Sequence, residues 1–157
     1  MGSKVSITPT KLYGLQRVGP SSFNDVENSG AEFSKELWLE FIGALINKDI
    51  PFDGDLYGIS WPADTNTPPQ EVFYFCGLES QTPIDGFDEL ELTGGNYLEV
   101  ACDVPAESID SAFHQAYMVD MPASGLQGRD GQHIEIYGDE YDPESDRARF
   151  RILIPIK

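Results

Sequence analysis

Glu91-Leu92-Thr93-Gly94-Gly95-Asn96-Tyr97-Leu98-Glu99-Val100-Ala101-Cys102-Asp103 is the stretch on which the fold turns. It reads as a strand, with Gly94-Gly95 marking a bulge or bend. Pro105 and Ser108 then introduce a helix whose apolar face is Ile109, Ala112, Phe113, Ala116 and Tyr117, and Pro122, Ser124 and Gly125 stop it. Gln132–Tyr137 predicts a strand, 139–146 an acidic loop, and Arg147–Lys157 a last strand. Gly125–Gly131 reads as a flexible connection.

The same order stands upstream. Lys11–Val18 alternates as a short strand, and a polar loop with Pro20, Asn24 and Asn28 follows. Ser29 and Glu32 fit a capping box ahead of Phe33, Leu37, Trp38, Phe41, Leu45 and Ile46, which recur at helical spacing to about Lys48. Pro51, Asp53 and Gly54 end that helix. Leu56–Trp61 and Glu71–Glu79 are two further strands, with the turn residues of 62–69 between them. Phe33 to Ile109, Tyr57 to Glu135 and Phe75 to Arg151 are separated by 76, 78 and 76 positions, as duplication of one strand-helix-strand-strand unit requires. The expected fold is therefore α+β: two βαββ repeats with pseudo-two-fold symmetry, an antiparallel sheet with two helices on one face and a central ligand cleft. The chain is expected to be a single domain over 1–157, with repeat one at about 5–79, repeat two at about 89–157, and a linker near Ser80–Asp88.

The 157 residues suffice to bury a real core, and 40% apolar with 24% charged residues is ordinary for a soluble globular protein. A net charge of -17 opposes phosphate backbones and anionic lipid surfaces, so neither nucleic acid nor membrane is an expected partner. No run reaches the roughly 20 apolar residues that span a bilayer, and no secretory leader is visible, so a cytoplasmic location is expected. Cys76 and Cys102 lie in apolar runs and read as buried free thiols. No Cys or His spacing suits zinc, and the acidic stretch 139–144 lacks the spacing and central glycine of an EF-hand, so neither a metal nor any other cofactor is expected.

Five segments together resemble the GyrI-like, or AraC-type, effector-binding family over nearly the whole chain. They are Leu56-Tyr57-Gly58-Ile59, Phe73-Tyr74-Phe75-Cys76-Gly77-Leu78-Glu79, Leu92-Thr93-Gly94-Gly95-Asn96-Tyr97, His133-Ile134-Glu135-Ile136-Tyr137 and Ile152-Leu153-Ile154-Pro155-Ile156-Lys157. Two departures stand out: Asp103-Val104-Pro105 where many members carry a glycine, and Met121 near a position where many carry tryptophan. The resemblance implies a ligand-sensing module. With no length left for a helix-turn-helix, the expectation is a free-standing one.

Glu135 is the first candidate for the key site residue. Strand alternation turns it the same way as His133 and Tyr137 and away from Ile134 and Ile136. The resemblance implies that the matching glutamate lies at the pocket floor. A carboxylate enclosed by aromatics loses hydration, and an organic cation would restore its counter-charge while ring faces add cation–π attraction. The expected partner is a hydrophobic cationic small molecule. Tyr57, taken as the repeat counterpart of Glu135, and Trp61 are the next candidate walls, joined by Tyr137, Tyr117 and Phe113 from the second unit and Trp38 and Phe41 from the first helix. Two alternatives accompany this reading. In the first, a hydrolase of cyclopropane-containing or related toxic small molecules, Glu135 with Tyr57 or Tyr137 acts as general base and acid. In the second, a protein-interaction, gyrase-modulating role, the acidic surface meets a basic partner. His133 near Glu135 suggests a pair able to pass a proton, and His114 is expected to face solvent.

Overall fold

The computed structural model describes residues 2–20, 29–51, 54–66, 69–138, 141 and 145–157, without the side chains of 29–32 and 110. The loop after Pro20, the Ser29–Glu32 capping box and most of the acidic loop 139–146 thus lie outside the described residues. Among those described, the strands are β1 (Gly2–Ile7), β2 (Thr10–Pro20), β3 (Leu56–Pro62), β4 (Glu71–Glu79), β5 (Asp88–Leu92), β6 (Gly95–Pro105), β7 (His133–Tyr137) and β8 (Arg147–Pro155). Helix α1 spans Ser29–Asn47. A second helical segment begins with a 3-10 turn at Ala106–Ser108 and continues through α2 (Ile109–Gln115), a π-helical stretch at Ala116–Asp120 and α3 (Met121–Ser124). The fold is α+β with antiparallel strand pairing, as the element order predicts.

The chain forms two compact units, one built mainly from Leu92–Lys157 with the N-terminal strand, the other from Lys11–Phe52 and Leu56–Glu91. Their strand orders match. In the first unit it is β1-β6-β8-β7, and in the second it is β5-β2-β4-β3. Each order places a leading strand outside the βαββ set: β1 pairs with β6 (Val5 opposite Tyr97), and β5 neighbours β2. Tyr13 Oη donates to Glu89 Oε1 at 2.8 Å, and Gln16 N–H donates to Asp88 Oδ2 at 3.0 Å, fastening β5.

These leading strands correct the sequence reading. The single strand expected over Glu91–Asp103 is two strands, divided where Gly94 (φ +77°) and Gly95 (φ +113°) enter backbone regions that L side chains rarely adopt. The boundary between the units therefore falls at the end of β5: residues up to Glu91 belong to one unit, and Leu92 with all of β6 to the other. Residues 125–131 are also pinned rather than loose. Gly128 bridges to Ile156, Lys157 N–H donates to the Gln127 carbonyl, and Arg129 N–H donates to the Pro155 carbonyl. The Arg129 guanidinium donates to the carbonyls of Ile156, Gly94 and Asn96 while lying 4.9 Å from the Tyr97 ring centroid.

In the second unit, Leu37, Phe41 and Leu45 occupy successive turns of α1 and pack on Leu15, Tyr74 and Cys76. Ile46, expected on that face, is 60% exposed: the i, i+4 stripe through Leu37, Phe41 and Leu45 leaves it on the outer side. In the first unit, Ala112 and Ala116 set the second helical segment against Leu98, Val100, Ala148, Phe150, Ile152 and Ile154. Small residues at both contacts let helix and sheet approach closely. Cys76 is buried and Cys102 half-buried, both as free thiols, and burial pushes the Cys102 thiol up to about 11. No helix among the described residues is long and apolar enough to cross a membrane.

Candidate functional site

Strand β7 carries the first candidates. Ile134 and Ile136 are buried on one side, and His133, Glu135 and Tyr137 are half-buried on the other. Register fixes which side is which. Glu135 stands opposite Ile152, whose side chain belongs to the core packed under the second helical segment, so the polar residues of β7 share that helix-covered face. A glutamate at such a position loses part of its hydration and is sensitive to what lies beside it.

Its neighbours are aromatic. Tyr137 Oη donates to Glu135 Oε1 at 3.3 Å. The Tyr137 ring stacks on Phe150 at 5.4 Å and meets Tyr141 edge-on at 4.8 Å, while Phe113 of α2 lies 5.6 Å from Phe150. Tyr117, from the helical segment above, packs against the same core. Burial, reinforced by the negative charge of Glu135, pushes its phenol above the ordinary tyrosine range. The structure therefore brings Glu135, Tyr137, Phe113 and Tyr117 together on one face of one unit.

His133 meets a different partner from the one expected. Its Nδ1 lies 2.8 Å from Tyr117 Oη, and the two rings are 5.6 Å apart. Burial first, then the Arg129 charge, pushes the imidazole down to about 4, against an opposing pull from Asp130. It is neutral at pH 7. Sequence spacing pairs His133 with Glu135 along the strand. The bond to Tyr117 crosses from strand to helix, which no local pattern reveals. His114 is exposed, as its place between core positions predicts.

Tyr117 owes its placement to a helix irregularity. Pro122 has no N–H to give the carbonyl four residues back, so the preceding turn widens. Met121 N–H accordingly donates to the Ala116 carbonyl, five residues back. Of the three residues expected to stop the helix, Pro122 is carried inside it, and it ends at Ser124 with Gly125 left-handed at φ +72°.

The candidates of the second unit lie on two faces. Trp38 and Phe41 belong to α1. Phe41 is completely enclosed, and Trp38 Nε1 donates to Tyr74 Oη at 2.9 Å. Tyr57 and Trp61 stand opposite Gly77 and Phe73, on the sheet face away from α1. There Tyr57 Oη donates to Glu79 Oε1 at 2.8 Å, and Trp61 stacks on Phe73 at 5.4 Å.

The registers correct the expected counterpart of Glu135. Ile136 stands opposite Arg151, and Ile59 stands opposite Phe75. With Arg151 matched to Phe75, Glu135 matches Gly58 and Tyr57 matches Ile134. A one-residue slip in a strand exchanges the faces, which is how two residues on opposite faces came to be matched by spacing alone. Among the described residues, no three His, Cys, Asp or Glu side chains stand close enough to hold a metal ion.

The sequence matches the GyrI-like small molecule binding domain family over residues 3–157, and the chain belongs to that family. None of the curated proteins matches it. Among solved structures, the chain is similar to SAV2435 bound to tetraphenylphosphonium, at 13% identity and a TM-score of 0.76, covering 100% of this chain and 94% of that one. It is also similar to a putative bacterial transcription regulation protein from Staphylococcus aureus MU50, at 15% identity and a TM-score of 0.72 over 100% and 98% of the two chains. An integron cassette protein from the mobile metagenome of Vibrio cholerae matches at 9% identity and a TM-score of 0.73 over 99% and 95%.

Proposed function

We propose that this GyrI-like domain binds bulky hydrophobic cations, with Glu135 supplying the counter-charge and Tyr117, Tyr137 and Phe113 the aromatic contacts. The observation that carries the reading is the half-buried Glu135 carboxylate on the helix-covered face, held by the Tyr137 hydroxyl and close enough to Tyr117 to raise its pKa. A partly desolvated carboxylate attracts a cation more strongly than a solvated one, because the field between them is less screened. Aromatic faces each add about 0.5–2 kcal/mol of cation–π attraction, and neither they nor the charge pair demands one ligand outline. A charge of -17 raises the local concentration of cations around the whole chain. The similar fold of SAV2435 holds tetraphenylphosphonium, a lipophilic cation of this kind.

Titration with tetraphenylphosphonium or rhodamine 6G, followed by calorimetry or fluorescence, tests the proposal. The wild-type chain should bind, and Glu135→Gln, which keeps shape and removes charge, should weaken binding by about tenfold or more. Equal affinity in the two proteins would refute the role of Glu135. Mass spectrometry of a cyclopropane-bearing toxin incubated with the chain should show it unchanged, which separates binding from hydrolysis.

A further inference from the structure

We propose that His133 is a positioning residue of this site: its ring holds the Tyr117 hydroxyl, and so fixes the ring face that Tyr117 offers to a cation beside Glu135. The inference rests on the cation-binding reading and extends it to a residue with no direct part in that reading.

Three observations carry it. Tyr117 sits in the π-helical stretch Ala116–Asp120, where the wider turn leaves a side chain less constrained by its own helix than in a regular one. The next two residues outward, Met118 and Val119, are 56% and 47% exposed, so the outer side of that turn adds no packing to hold it. Tyr117 itself points inward, to a 2.8 Å contact with His133 Nδ1 and a ring separation of 5.6 Å. The tether thus adds a directional bond to the packing of Tyr117 against the core.

The identity of the tethering group matters. The groups around the imidazole are Tyr117 from the helix, Glu135 on the same strand face, and Arg129 and Asp130 from the preceding segment. A lysine or arginine at 133 would set a fixed positive charge two residues from Glu135 and compete with the ligand. A neutral imidazole tethers the phenol without that competition. Leucine would fill the space and make no bond. Asparagine would place an amide oxygen or nitrogen near the Nδ1 position and keep it.

A double-mutant cycle on the full-length chain, read with tetraphenylphosphonium at neutral pH, tests this. His133→Leu should weaken binding by about five- to tenfold, whereas His133→Asn should stay within about twofold of wild type. In a Tyr117→Phe background, which has no hydroxyl to hold, His133→Leu should have no further effect. Near-ultraviolet circular dichroism should show a tyrosine band changed by His133→Leu and restored in His133→Asn, and thermal melts establish that each variant is folded. If His133→Leu costs the same with and without the Tyr117 hydroxyl, or if His133→Asn is as weak as His133→Leu, the positioning role is overturned while cation binding stands. If wild type binds no tetraphenylphosphonium, the underlying reading fails and takes this inference with it.

Discussion

The two units share one strand order and differ in what the strand following the helix shows on the helix-covered face. In the second unit β3 turns Leu56, Gly58 and Ser60 to the face that carries α1, where Leu37, Phe41 and Leu45 pack on Leu15, Tyr74 and Cys76, with Leu56 at the edge of the cluster. In the first unit β7 turns His133, Glu135 and Tyr137 toward a helical segment that is interrupted by a π turn and carries Ala112, Phe113, Ala116 and Tyr117. The same scaffold thus carries an uncharged face in one place and a polar, titratable one in the other. Regular helix geometry goes with the uncharged face of β3, and irregular geometry goes with the His133, Glu135 and Tyr137 face of β7. Irregularity of this kind costs stability, and proteins concentrate such costs where a side chain must be aimed.

Phe41→Ala should give the largest effect on folding, because a fully enclosed aromatic leaves a cavity worth about 3–5 kcal/mol. Phe113→Ala, at a half-buried position, should cost clearly less stability but weaken tetraphenylphosphonium binding. Denaturant unfolding and calorimetric titration of the two variants measure both. Equal losses of stability would erase the contrast between the packing unit and the binding unit.

The next effect is on pH. His133 is held at about 4 in the fold against an ordinary 6.5, so between those values the unfolded chain binds the extra proton. Stability contributed by the neutral ring is fully present above about pH 6.5 and is lost as pH falls toward 4, by roughly 2–3 kcal/mol at most. Denaturant unfolding at pH 7 and pH 4.5 should show this loss in wild type, with a smaller drop in His133→Asn. Parallel pH dependence in the two proteins would show that His133 titrates normally.

Two glutamates sharpen the contrast further. Glu135 and Glu79 each accept a tyrosine hydroxyl, but Glu79 is exposed and stands on the face away from α1. Glu135→Gln should weaken cation binding by about 10- to 100-fold. Glu79→Gln should leave it within about twofold, as expected for a solvated carboxylate. The smallest effect is expected for Tyr137→Phe. That variant removes a 3.3 Å hydrogen bond and keeps the ring, and should change affinity by about two- to fivefold.

Much of this was legible in the residues. Period-two alternation in His133–Tyr137 placed Glu135 beside His133 and Tyr137 and opposite the two isoleucines, and helical spacing found Leu37, Phe41, Ala112 and Ala116. What stayed hidden was decided by partners far along the chain. β1 has only Val5 and Ile7 as strand-forming apolar residues and is defined by its pairing with β6, from Ile7 opposite Gly95 to Gly2 opposite Val100. The Gly94-Gly95 pair announced a bend, but not that the strands on its two sides serve different units. Arg129 looks like a loop residue until its carbonyl partners at 94, 96 and 156 are assembled around it. The His133–Tyr117 contact depends on a π turn created by Pro122, and a helical wheel drawn at regular spacing aims past it.

Crystals grown with tetraphenylarsonium would test the central claim most directly, because arsenic is an isosteric replacement for phosphorus and scatters anomalously. An anomalous peak within about 6 Å of the Glu135 carboxylate, with Tyr117 and Tyr137 rings against the phenyl groups, is the predicted result. A peak remote from Glu135, or the same peak at undiminished occupancy in Glu135→Gln, would contradict it.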